Sequence, residues 1–160
     1  MKYKDIIDIY FSMSEKTEYE VVSELSMAQL EKLIVSIDNS GDKMILLKFY
    51  ADWCGPCKRV ADLCEEAFQN IGDSVIKVVI DIDDQLDLYM FLKRKRIITG
   101  IPCTIAWHPQ KDRDYEYWYS PNDSVLSSDR NDTIAFFKRQ FDVATVLNAS
   151  VQTPPGTVTK

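Results

Sequence analysis

The sequence predicts an α/β fold with a central mixed β-sheet flanked by helices. Residues 44–51 are almost continuously apolar, as expected for a strand buried on both faces of a largely parallel sheet. Short apolar runs alternate with segments of helical periodicity over residues 19–147. Apolar residues make up 46% of the 160 residues, so one domain can bury a core without disulfide cross-links.

The first half of the chain carries the strand and helix alternation. Residues 19–25 have the composition of a strand, and Ser26 with Gln29 supplies a capping box for a helix that reaches about Ile37. The apolar run over 44–51 is the predicted central strand. It is followed by a predicted helix over 56–70, a strand over 75–82 and a helix over 85–95.

The second half predicts an antiparallel hairpin and a terminal helix. The runs 103–107 and 115–119 are strand-like, and the segment between them is too short for a helical crossover. Residues 120–130 form a polar loop before the last helix. That helix is predicted over 132–146, with one buried face formed by Ile134, Phe137 and Phe141.

These elements divide the chain into three parts. Residues 19–147 form the domain. Residues 1–18 are an N-terminal extension with the apolar spacing of a short amphipathic helix. Residues 148–160 contain two prolines and a glycine and are predicted to be a flexible tail.

Charge and hydropathy exclude several function classes. The net charge of -6 argues against binding to nucleic-acid phosphates, which requires clustered Lys and Arg. No run approaches the ~20 apolar residues of a membrane span, and Asp5 and Asp8 interrupt the N-terminal apolar patch, so no signal peptide is predicted. We therefore expect a cytoplasmic protein, in which a close cysteine pair is catalytic or metal-binding.

The segment Trp53-Cys54-Gly55-Pro56-Cys57-Lys58 lies where the central strand leads into a helix, at the sheet edge where open α/β folds place their sites. Gly55 permits a tight turn and Pro56 suits a first helical turn. The helix N-terminus favours a thiolate, so Cys54 is the predicted nucleophile. Cys57 lies on the same face and is the predicted resolving thiol.

This segment resembles the signature of the thioredoxin family. The resemblance extends to Phe49, Ala51 and Asp52, to Asp81-Ile82-Asp83 and to Gly100-Ile101-Pro102. It implies a thioredoxin fold over 19–147 and a protein-disulfide reductase that takes part in electron transport and cell redox homeostasis. It also implies disulfide-containing protein substrates, a flavoprotein reductase or a small thiol as electron donor, and no bound cofactor or metal.

The resemblance further implies a substrate site around the cysteines. Pro102 is expected to be cis and to lie against the cysteine pair. The backbone of Ile101 is expected to pair with an extended substrate strand, and Trp53 and Ile101 to form an apolar rim. Gly55 and Pro56 complete the substrate-contacting set.

Lys48 is the main departure from the family pattern. It stands where thioredoxins usually carry a buried aspartate, and Val79 stands where they carry its lysine partner. One hypothesis places Lys48 beneath the cysteines, where its charge favours thiolate and a more oxidising potential. In the alternative, Lys48 reaches solvent and only its stem packs. Asp81 is a candidate partner that the strand alternation leaves open.

Smaller departures concern the other cysteines and the loop. Cys103 follows the predicted cis-proline in place of a threonine, and is either a redox or regulatory thiol or a small buried residue. Core packing is the interpretation for Cys64. Asp62 replaces a helix-kinking proline. The loop 120–130 lacks the family's glycine, which predicts altered partner choice.

Three alternatives compete with a reductase. A four-cysteine zinc site is disfavoured because only one Cys-x-x-Cys pair is present. A more oxidising disulfide oxidase or isomerase is favoured by Lys48, whereas the Gly-Pro between the cysteines favours a reductase. A non-catalytic binding module would use residues 1–18 and 120–130 as contact surfaces.

Overall fold

The fold is known from a computed structural model that describes residues 19–152. Its sheet has four strands: β1 (Met44–Tyr50), β2 (Val75–Asp81), β3 (Cys103–Trp107) and β4 (Asp123–Val125). The order is β2-β1-β3-β4; β1 is parallel to β2 and antiparallel to β3, and β3 is antiparallel to β4. The predicted mixed sheet with a central apolar strand is confirmed.

In the described part of the chain, four helices cover the sheet. They are α1 (Met27–Ser40), α2 (Gly55–Asn70), α3 (Asp87–Arg94) and α4 (Arg130–Gln152). The predicted capping box starts α1: the Ser26 hydroxyl accepts from the Gln29 N–H, and the Gln29 side chain accepts from the Ser26 N–H. Gly41 ends α1 with φ 73°, a left-handed conformation that glycine adopts without steric cost.

Alternation along β1 divides the core into two clusters. Ile45, Leu47 and Phe49 point to one face and pack with α1 and α3. Met44 and Leu46 point to the opposite face and pack with α2 and α4. Because β1 is buried from both sides, its near-continuous apolar run is explained.

The strand predicted over residues 19–25 is wrong in extent. Only Val22 bridges to β2, through hydrogen bonds with Lys77 and Val79 of 2.9 Å each. The Leu25 N–H then donates to the Gln85 side chain at 2.8 Å, and Ser26 caps α1. The chain therefore leaves the sheet edge after one bridge.

The predicted hairpin is correct in its first strand and wrong in its second. Residues 115–119 do not join the sheet, because Tyr115–Tyr117 forms a 3₁₀ turn capped by the Asp114 side chain. The Trp118 ring stacks on the Phe91 ring of α3, with the ring centres 5.7 Å apart, so Trp118 packs on a helix and not in the sheet. On the side away from β1, β3 pairs with β4, which lies inside the segment predicted as a polar loop over 120–130.

The last helix is longer than predicted and buries a different face. It begins at Arg130 and continues to Gln152, five residues past the predicted domain end. Phe137 is buried and Phe141 packs partly, but Ile134 is 36% exposed. The buried face is formed instead by Thr133, Phe136, Phe137, Gln140, Ala144 and Leu147.

Two of the predicted parts fall wholly or partly outside the described residues. The predicted extension over 1–18 lies outside them, as do residues 153–160 of the predicted tail. Within residues 19–152, no helix is both long and apolar enough to cross a membrane.

Candidate active site

A disulfide between Cys54 and Cys57 marks the site, with the two Cα atoms 5.3 Å apart. It lies where β1 ends and α2 begins, as predicted from the sequence. Each cysteine is only 4% exposed. The pair packs at the end of the core cluster that includes Ala51 and Tyr89.

The backbone of α2 directs donors and a positive dipole end at Cys54. Cys54 is the N-cap residue, and its Sγ accepts a hydrogen bond from the Cys57 N–H at 3.2 Å. Pro56 lies in the first turn, where a missing N–H leaves no hydrogen bond unmade. In general, the unpaired N–H groups and the positive dipole end of a helix N-terminus favour a thiolate over a thiol.

Trp53 covers the front of the site and is 66% exposed. Its Nε1 donates to the Asp83 carboxylate at 2.8 Å, which fixes the indole over the turn after β2. The Asp83 N–H in turn donates to the Asp81 carboxylate at 2.9 Å. Asp81 thus organises this turn and makes no ion pair with Lys48.

The Ile101–Pro102 bond is cis, as the resemblance predicts. Cys103 pairs with Phe49 at the first position of β3, so Pro102 lies at the same sheet edge as the disulfide. Ile101 is partly buried and packs against the cluster that contains Cys54 and Cys57. The exposed Trp53 indole and the Ile101–Pro102 segment therefore lie at the sheet edge that carries the disulfide.

Lys48 lies on the face of β1 covered by α2, between Val79 of β2 and Thr104 of β3. Its ammonium is 5.3 Å from the centre of the Tyr50 ring. A groove of about 540 Å³ opens beside α2, and we refer to it as the Lys48 groove. Its lining is formed by Lys48, Tyr50, Ala51, Asp52, Cys57, Lys58, Ala61, Asp62, Glu65 and Val79.

The two remaining cysteines are free and buried on different faces of the sheet. Burial raises the pKa of Cys103 to about 12, despite a hydrogen bond with the Phe49 backbone that opposes the shift. Burial also raises the pKa of Cys64, although the Lys48 charge and a hydrogen bond with Thr104 oppose it. Both thiols are therefore kept protonated.

The zinc alternative requires four cysteines around one ion. Cys103 packs in the cluster beneath α1 and α3, whereas Cys64 packs in the cluster beneath α2 and α4. No three His, Cys, Asp or Glu residues between 19 and 152 are grouped to hold a metal. His108, the single histidine, contacts the Gln140 side chain at 2.8 Å.

One contact beside the site was not predicted. Arg130 donates to both carboxylate oxygens of Asp62 at 2.9 and 3.0 Å and to the Arg59 carbonyl at 2.6 Å. It thereby ties the start of α4 to the helix that carries the cysteines. The sequence offered no signal for this pair, because its members lie 68 residues apart.

A family model described as Thioredoxin matches residues 21–117, more than half of the chain. A thioredoxin of Ictalurus punctatus is 33% identical over 109 residues, 64% of this chain and 92% of that protein. Thioredoxin-T of Drosophila melanogaster is 38% identical over 47 residues, 29% of this chain and 30% of that protein. The alignment with the fruit-fly protein therefore spans less than a third of its length.

Protein disulfide isomerases match as well. The isomerase-like protein 2-3 of Oryza sativa subsp. japonica is 27% identical over 104 residues, which cover 65% of this chain and 22% of that protein. Among solved structures, a thioredoxin of Malassezia sympodialis superposes with a TM-score of 0.54 at 21% identity. That match covers 80% of this chain and 99% of the fungal chain, and it supports the fold.

Proposed function

Because the chain belongs to the thioredoxin family, we propose that it is a thiol-disulfide oxidoreductase that reduces protein disulfides through Cys54 and Cys57. The observation that carries this proposal is the Cys54–Cys57 disulfide at the N-terminus of α2. A disulfide formed there is the oxidised product of the proposed reaction, and the helix N-terminus favours the thiolate that starts it.

The reaction consists of two exchanges that transfer two electrons. The Cys54 thiolate attacks one sulfur of the substrate disulfide, a Cys54–substrate bond forms, and the other substrate sulfur leaves as a thiolate. The Cys57 thiolate then attacks the Cys54 Sγ. The Cys54–Cys57 bond forms, the mixed disulfide breaks, and the second substrate thiolate leaves and is protonated from solvent.

The proposed substrate is an extended segment of another protein. The Ile101 backbone would pair with that segment, and Trp53, Gly55, Pro56 and Pro102 would form the surface around the attacked sulfur. Exposure of Trp53 and packing of Ile101 beside the disulfide support this arrangement. Pairing through the backbone depends little on the side chains of the substrate, so a range of proteins would be accepted.

The oxidised pair must be reduced again after each cycle. A flavoprotein reductase or a small thiol is the proposed donor, and no bound cofactor is needed because the two thiols carry both electrons. We place the protein in a reducing compartment such as the cytoplasm, in a role in electron transfer and redox homeostasis.

Reduction of a model protein disulfide such as insulin tests the proposal. We expect Cys54→Ser to abolish turnover, whereas Cys57→Ser should accumulate a mixed disulfide that a mass spectrum detects. Cys64→Ser serves as the matched control, because Cys64 lies on the same helix outside the pair and should leave turnover unchanged. Full activity in Cys54→Ser would contradict the proposal.

An oxidase or isomerase is the second candidate. It is favoured by Lys48 in the groove beside Cys57 and by the similarity to a disulfide isomerase. The reduction potential separates a reductase from an oxidase or isomerase, since the potential of thioredoxin is about -270 mV and that of protein disulfide isomerase is about -180 mV. If no reversible couple exists, a binding module would take first place, and changing both cysteines to serine would leave its effect intact.

A further inference from the structure

Lys48 brings a cation to the sheet face beneath the helix that carries Cys57. Met44 and Leu46, the preceding residues on the same face of β1, pack in the cluster with Val60 and Cys64 of α2. Lys48 is the next residue on this face, and it lines the Lys48 groove together with Cys57. The ammonium and the resolving cysteine therefore share one solvent-connected space.

Within residues 19–152, Lys48 makes no ion pair with a carboxylate. The ion pairs among residues 19–152 join Arg113 to Asp38, Arg130 to Asp62 and Arg139 to Asp123, and none includes Lys48. The Tyr50 ring beneath the ammonium attracts a cation without cancelling its charge.

The other charged groups that line the groove are either hydrogen-bonded to other side chains or exposed to solvent. From α2, Asp62 is held by Arg130, and Glu65 accepts from the Tyr19 hydroxyl and from Gln69 at 3.1 Å each. Asp52 and Lys58 are exposed to solvent, which screens them. The facing residues of β2 and β3, Val79 and Thr104, carry no charge.

We propose that Lys48 is an electrostatic tuning residue for Cys57, favouring its thiolate during resolution of the mixed disulfide. This inference rests on the proposed function and specifies how its second step is driven. Lys48 acts through its charge and is not itself a catalytic residue. The same charge opposes the burial that raises the pKa of Cys64, which also lies on α2.

The chemical consequence follows from the second exchange. A protonated Cys57 must lose its proton before its sulfur can attack the Cys54 Sγ. A nearby cation lowers the free energy of the thiolate directly, so no carboxylate base is needed to accept the proton. The same cation stabilises the reduced pair relative to the uncharged disulfide and makes the couple more oxidising.

The first test is the equilibrium of the active-site pair in a fixed glutathione buffer at pH 7. Removal of a nearby unit charge, in surroundings between protein and water, predicts that Lys48→Met lowers the ratio of reduced to oxidised protein about threefold to thirtyfold. Lys48→Arg keeps the charge and should stay within about twofold of wild type. Lys48→Gln repeats the neutralisation if the methionine variant folds poorly.

Lys77→Met is the matched control. Lys77 also lies on a strand with its ammonium over a tyrosine ring, 5.0 Å from the centre of Tyr19, but it does not line the Lys48 groove. We expect no more than about a twofold change in the glutathione equilibrium for this variant. An equal shift in Lys77→Met and Lys48→Met would overturn the inference.

The pH dependence of resolution provides a readout that a purely structural role would not move. Attack of the Cys54 thiolate on a chromogenic aromatic disulfide forms a mixed disulfide and releases one coloured thiolate. Attack of the Cys57 thiolate on the Cys54 Sγ then releases the second, so the second phase of colour reports resolution. We expect the midpoint of the rate-pH profile to rise in Lys48→Met and to be restored in Lys48→Arg. Unchanged midpoints and equilibria in Lys48→Met would refute the role of Lys48, while a wild type without any reversible couple would refute the proposed function itself.

Discussion

The ion pair between Arg113 and Asp38 holds the loop between β3 and β4 against α1. The two side chains are only 4% and 3% exposed, and Arg113 Nε lies 2.7 Å from the Asp38 carboxylate. That carboxylate also accepts from Arg113 Nη2, from the Gln110 N–H and from the Tyr115 hydroxyl, at distances of 2.8 to 3.2 Å. Four hydrogen bonds therefore converge on one buried anion.

Asp38→Ala should destabilise the protein by about 3 kcal/mol. Removing one partner of a buried ion pair typically costs 3–5 kcal/mol, because the remaining charge stays out of water without compensation. The expected value lies at the lower end because Arg113 keeps its 2.7 Å hydrogen bond to the His108 carbonyl. Such a loss is a large part of the 5–15 kcal/mol by which typical domains are stable.

Equilibrium unfolding in urea measures this loss. Arg139→Ala is the control, since Arg139 pairs with Asp123 at a similar distance of 2.8 Å but is 53% exposed, and its removal should cost less than about 1 kcal/mol. The double variant Asp38→Leu with Arg113→Met should recover much of the loss, because no buried charge remains. If Asp38→Ala costs no more than the control, the buried pair does not anchor the loop as argued.

Three further predictions concern thiols, backbone and pH. In the oxidised native protein at pH 8, iodoacetamide should modify Cys64 and Cys103 at least about 100-fold more slowly than an unfolded chain, because both thiols are buried with raised pKa values; rapid labelling in a mass spectrum would contradict this. Gly41→Ala should cost about 1 kcal/mol in urea unfolding through its φ of 73° alone, since no atom lies within 4 Å of an added Cβ. Burial by itself raises the pKa of Asp123, but hydrogen bonds led by that from Arg139 outweigh it and lower the pKa. This pair should therefore stabilise the protein above the ordinary aspartate pKa of about 3.9 by less than about 1 kcal/mol, and lose that contribution as the pH falls through the lowered pKa. Acid titration of stability should show the difference, and Arg139→Ala should remove it.

Local chemistry made the first half of the fold and the cysteine site predictable. The capping box at Ser26 fixed the start of α1 from two side chains three residues apart. The apolar run of β1 and the Cys-Gly-Pro-Cys turn placed the disulfide at the correct sheet edge. Each of these signals is contained in a short segment, so tertiary contacts were not required to interpret it.

The errors arise where distant contacts decide the structure. Residues 115–119 have strand-like composition, yet Trp118 stacks on Phe91 of α3, and the Tyr115 hydroxyl binds Asp38, which lies 77 residues away in the sequence. Residues 123–125, of which only Val125 is apolar, pair with β3 at an edge that is otherwise open. Neither outcome can be inferred from segment composition, since both depend on which surface is nearest in the folded chain.

The same contrast explains why Lys48 can carry a charge within a strand that is otherwise apolar. Leu47 and Phe49, its neighbours in β1, are fully buried against α1 and α3, where an ammonium would have no solvent. Lys48 faces the other side, at the level where α2 begins and the groove beside Cys57 admits water. Because side chains alternate along a strand, a one-residue shift would transfer the charge into the closed core. The position of the cation relative to the resolving thiol is therefore set by the register of β1, and tuning of Cys57 from this strand requires the charge at residue 48.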